Sequence, residues 1–67
     1  MDILIQMKKQ SLKNYEKDLE KNLGEFYDAC EDNDEEKMLK VAKKGAGIKM
    51  MIDYLKKDLK EAENSNY

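Results

Sequence analysis

The chain has 67 residues, 42% of them charged and 40% hydrophobic, a formal net charge of −2, no His, no Pro and a single cysteine, Cys30. A domain this short buries only about 60% of the surface its unfolded chain exposes, so its core needs a supplement. One Cys and no His exclude an internal disulfide and a structural zinc, and the near-neutral balance gives no bulk attraction for nucleic acid or membranes, which leaves self-association.

The first predicted element runs from about residue 3 to 30. From Ile5 an apolar residue recurs every seventh position at Leu12, Leu19 and Phe26, with Tyr15 and Ala29 at the intervening positions of the same seam. Lys8 and Asn22 interrupt that seam. Leu23 and Cys30 lie one position further round and widen the apolar stripe.

The stretch Glu31-Asp32-Asn33-Asp34-Glu35-Glu36 has no apolar residue and reads as a turn, placed at residues 31–33. Asn33 or Asp34 suits the N-cap of the next helix. Behind Asn33, Glu36 stands where a capping box puts its acid, and Glu35 and Glu36 complement the helix dipole. The turn is short, so consecutive helices should fold back antiparallel.

The second predicted element runs from about residue 34 to 63. Met38, Val41, Gly45, Ile48, Ile52, Leu55, Leu59 and Ala62 alternate at spacings of three and four, the seam of a helix that lies along another helix. Facing the two seams gives Phe26 opposite Val41, Asn22 opposite Gly45, Leu19 opposite Ile48 and Leu12 opposite Leu55. Each pair of residue numbers sums to 67, which centres the pairing between Asn33 and Asp34, where capping chemistry independently puts the turn.

Gly45-Ala46-Gly47 is the weak point, because each Gly costs about 1 kcal/mol relative to Ala inside a helix. Two architectures follow. The favoured one is all-α, an antiparallel, coiled-coil-like two-helix hairpin over residues 1–63, with a frayed tail at 64–67, that pairs into a homodimeric four-helix bundle. The alternative is a three-helix bundle with a break at 45–47.

Charge is segregated: seven acids and no base lie between Glu25 and Glu36, and seven Lys with one acid, Asp53, between Lys37 and Lys57. Asp32, Asp34 and Glu36 alternate like the start of a calcium loop, but Lys37 and Lys43 stand where its Gly and closing Glu belong, so no metal site is expected. Nor is a cofactor site expected. With no His and no nucleophile beside an evident base, the chain is not expected to be an enzyme. Cys30 sits among acids that disfavour a thiolate and reads as a small packing residue near the turn.

Two binding readings are left. Met50, Met51 and Tyr54 lie outside the second seam, and Tyr27 and Leu23 beside the first; adaptable Met and aromatic side chains suit a protein partner. Lys9, Lys13, Lys17 and Lys21 form a ridge on the first helix, and Lys40 and Lys44 another on the second, suited to phosphates, although no Arg is present for base readout. The expected function is a small noncatalytic protein-interaction module of regulatory, adaptor or inhibitor type; the alternative is an RNA- or DNA-binding hairpin regulator using the lysine ridges.

No apolar run reaches the roughly 18 residues of a membrane span, the start of the chain lacks the basic segment of a signal peptide, and a lone thiol suits a reducing compartment, so a cytoplasmic location without membrane partners is expected. The exclusive use of Lys among the cations, with frequent Asn, Ile and Tyr, points to an AT-rich host, and a phage or mobile-element source is suggested only by the hairpin plan, which many proteins of such elements share. The hairpin plan is shared with small plasmid-encoded RNA regulators, a likeness of architecture that carries no residue across.

Overall fold

Two antiparallel helices, α1 (Ile3–Glu31) and α2 (Glu35–Asn64), pack along their whole length in a computed structural model that describes residues 3–64. The hairpin is a rod with principal Cα extents of 53 × 14 × 11 Å. Of the tail expected at 64–67, Asn64 is the last residue of α2, and the remaining positions lie outside the described residues.

Burial follows the seven-residue pattern closely. On α1 the seam residues Ile5, Lys8, Leu12, Tyr15, Leu19, Asn22, Phe26 and Ala29 are buried or half-buried, as are Met38, Val41, Gly45, Ile48, Ile52, Leu55, Leu59 and Ala62 on α2. Among the described residues only Ser11 and Asp58 join them from outside the seam. The core is one layer thick. Val41, Ile52, Leu55 and Leu59 are its buried aliphatic residues, and no large side chain among the described residues is sealed completely.

The two polar interruptions are each answered from the other helix. Asn22, 5% exposed, donates Nδ2–H to the Val41 carbonyl at 2.9 Å, and its Oδ1 occupies the space where a side chain at Gly45 would begin. Asn22 therefore stands opposite Gly45, the pairing expected from the register. A buried amide needs a partner and room, and here a backbone carbonyl supplies one and a missing Cβ the other. Lys8 Nζ pairs with Asp58 Oδ2 at 2.5 Å, both side chains about one-third exposed, which accounts for the partial burial of Asp58.

The turn closes α1 and opens α2 within three residues. Asn33 N–H donates to the Cys30 carbonyl (3.1 Å) and Asp34 N–H to the Ala29 carbonyl (3.0 Å), while Asn33 adopts the left-handed conformation at φ 54°. This is the hydrogen-bond pattern of a Schellman ending, in which Asn is the usual substitute for Gly. Asp34 then caps α2: its Oδ1 accepts the Lys37 N–H at 3.1 Å and its carbonyl the Met38 N–H at 2.9 Å.

Two details of the expected turn are corrected. Glu31 belongs to α1, so the non-helical residues are Asp32, Asn33 and Asp34 rather than 31–33. With Asp34 as the cap, the third helical position is Lys37, so Glu36 cannot close a capping box; Glu35 and Glu36 lie in the first turn of α2. The three-helix alternative is also overturned, since α2 is continuous through Gly45-Ala46-Gly47. Packing of Asn22 against Gly45 holds the helix where intrinsic propensity is weakest.

Candidate protein-binding surface

A rod with one thin seam leaves much apolar surface outside. Among the described residues the exposed large hydrophobic side chains are Ile3, Leu4 and Met7 at the open end, Leu23, Tyr27 and Leu39 toward the turn, and Met50, Met51 and Tyr54 along α2. Helical geometry sorts them, because residues three and four apart share a face.

On one side of the seam, in its turn-proximal half, Phe26, Glu35, Met38, Leu39 and Ala42 line an open, largely apolar depression. Leu23, one residue past the Asn22 seam position, borders the same side, and Tyr27 stands level with Leu39 across the helix pair. Cys30 adds its exposed thiol, 3.5 Å from the Met38 sulfur. The sulfur contact gives Cys30 a packing partner, but it is not enclosed as a core residue is.

The opposite side carries a different set. Asp18, Lys21, Glu25, Lys44 and Ile48 line a depression there. Met51, three residues beyond Ile48 and seven beyond Lys44, belongs to this side, with Met50 and Tyr54 on the adjoining outer surface of α2. Tyr54 shares a shallow polar hollow with Lys57, Asp58 and Glu61.

The five residues expected to bind a partner are thus split: Leu23 and Tyr27 lie on the turn-end face, and Met50, Met51 and Tyr54 on the far side of α2. Leu39 completes the turn-end face. It is detectable in the sequence as an apolar residue one position past Met38, but only the fold places it level with Tyr27.

The lysine ridges meet at one point. A ridge of residues four apart advances about 40° per step, so Lys9, Lys13, Lys17 and Lys21 wind around the outer surface of α1. Lys21 reaches the side that carries Lys44, where Asp18 and Glu25 flank the pair. Lys17 and Lys21 also border a hollow with Asp18 and Glu20. Phosphates following this path would meet a carboxylate beside nearly every ammonium group.

No three His, Cys, Asp or Glu side chains among the described residues converge as metal ligands would, and no helix among them is long and apolar enough to cross a membrane. Compared with known protein families, curated proteins and solved structures, the chain matches none.

Proposed function

We propose that the chain is a noncatalytic protein-interaction module, a regulator, adaptor or inhibitor, which self-associates and engages a second protein through its turn-end face. The supporting observation is the exposure of Leu23, Tyr27 and Leu39 around the apolar depression floored by Phe26, Met38 and Ala42. Leu39 lines that hollow and Leu23 and Tyr27 lie exposed beside it on the same face, and aromatic and aliphatic side chains around an open apolar hollow suit a helix or loop of a partner. Glu31, Asp32 and Glu35 rim the tip of the rod, so the fitting partner segment is apolar with basic flanks.

The nucleic-acid reading is weaker, because the lysines are interleaved with acids on the same surface. Affinity purification from the native host, with and without nuclease, separates the two. A stoichiometric protein that survives moderate salt and nuclease, and is lost with a Tyr27→Asp, Leu39→Asp variant of unchanged helicity, supports the proposal. Recovery of RNA or DNA alone, released steeply by salt and by Lys13→Glu with Lys17→Glu, overturns it.

A further inference from the structure

Along the edge of α2 that carries Lys44, Met51 and Asp58, beside the seam with α1 and turning onto the outer surface, runs a second strip with the spacing of a seam. Lys44, Gly47, Met51, Tyr54, Asp58 and Glu61 follow one another at intervals of 3, 4, 3, 4 and 3, the rhythm by which one helix packs along another. Its chemistry is graded. A cation stands at the turn end, Met51 and Tyr54 in the middle with Met50 beside them, and two acids at the open end. Met50 is 71% exposed and Tyr54 63%, so this apolar centre is uncovered within one hairpin.

We infer that this strip is the contact by which a second copy of the chain docks, α2 against antiparallel α2, about a twofold axis between Met51 and Tyr54. The gradient selects both occupant and direction. Reversing the strip onto itself sets Met51 against the partner copy's Tyr54, Gly47 against its Asp58 and Lys44 against its Glu61, and the symmetry makes each contact twice. A parallel pairing would put Lys44 against Lys44 and Glu61 against Glu61. The hollow bounded by Tyr54, Lys57, Asp58 and Glu61 then receives segment 44–51 of the other copy, with its lysine entering beside the acids.

Gly47 fits this use. A Cβ built there meets nothing within 4 Å, so nothing inside the hairpin requires glycine at a mid-helix position where it weakens the helix. In the antiparallel contact its missing side chain makes room for Asp58, which its ion pair with Lys8 holds at this edge. Gly24 is equally open, but its neighbours three and four residues away are Glu20, Lys21, Tyr27 and Asp28, and no apolar strip crosses it. This refines the self-association proposed above and is independent of the turn-end face.

The test is sedimentation equilibrium of the full chain, with circular dichroism as the check on folding. The wild type should dimerise at micromolar concentration. Lys44→Glu and Glu61→Lys should each weaken the dimer about tenfold or more, since each creates two like-charge contacts. The double variant should restore it. Residues 44 and 61 lie about 25 Å apart along one helix, so rescue can arise only between copies. Gly47→Leu should keep or raise helicity while losing the dimer. A wild type that stays monomeric at high micromolar concentration overturns the inference. So does a dimer that ignores both the charge exchange and Gly47→Leu, and one abolished instead by Leu23→Asp with Leu39→Asp would move the interface to the turn-end face.

Discussion

Replacing Gly45 with Ala should destabilise the hairpin, although helix propensity alone says the reverse. In an open helix interior the change gains about 1 kcal/mol. Here the new Cβ would overlap Asn22 Oδ1 and lie 3.1 Å from its Cγ. Asn22 is 5% exposed and tied to the Val41 carbonyl at 2.9 Å, so moving it aside breaks that bond and leaves a buried amide without its partner, a cost of about 1–3 kcal/mol. The net expectation is a loss of about 1 kcal/mol. Gly24→Ala, whose Cβ meets nothing within 4 Å, keeps the whole propensity gain of about 1 kcal/mol. The two substitutions should therefore differ by about 2 kcal/mol, or about 8–16 °C in melting temperature for a domain of this size. Urea and thermal unfolding followed by circular dichroism, at one fixed protein concentration, measures this. Asn22→Ala completes a cycle: alone it should cost about 1 kcal/mol, but in the Gly45→Ala background it should be neutral or stabilising, a coupling of about 1 kcal/mol or more. If Gly45→Ala stabilises as much as Gly24→Ala, the notch does not fix the packing and the reasoning fails.

Removing the cap with Asp34→Ala should lower stability by about 1 kcal/mol in the same unfolding assay. At its neighbour, Asn33→Gly should be neutral or better and Asn33→Val should cost about 1–2 kcal/mol, because only the latter resists φ 54°. Truncating the buried Ile52 to Ala should remove about 2–5 kcal/mol, enough to unfold a one-layer core at room temperature, whereas Met50→Ala should change hairpin stability by no more than about 0.5 kcal/mol when the protein is dilute. Asp58→Ala should cost at most about 1 kcal/mol, and the loss should shrink in high salt, since the Lys8 pair is partly exposed.

The seam was legible because its signal is periodic and redundant. Sixteen positions along two segments share one rhythm, and a one-residue slip would rotate the whole set about 100° off the partner helix. The Asn22 and Gly45 pairing was legible for a related reason: two separate defects, a polar residue in one seam and a missing side chain in the other, fall opposite each other in the register that the turn dictates. The turn itself was harder. Asn33 and Asp34 are both good caps by composition, and their roles separate only when α1 must also end. Its last carbonyls need a residue that tolerates positive φ, which Asn accepts readily, and Asp is left to accept the Lys37 N–H.

The candidate binding faces were less legible because exposure on a thin rod is the common condition of its side chains. Apolar residues beside a seam can be counted from sequence, but Leu23, Tyr27 and Leu39 become one face only when α1 and α2 lie antiparallel at a definite height. The same folding moves Met50, Met51 and Tyr54 to the other side. Gly45 and Gly47 show the limit most plainly. In the sequence they form one weak triplet with equal propensity costs. In the fold, Gly45 is matched by the Asn22 side chain, while Gly47 faces open space with Met50 and Met51 on the next turn. A helix interrupted at Gly47 would accommodate that glycine without penalty, yet α2 is continuous there. Seam packing at Gly45 and Ile48 on either side holds the helix through Gly47, so the propensity cost of that glycine is carried by its neighbours while its own open face is left for the contact inferred between copies.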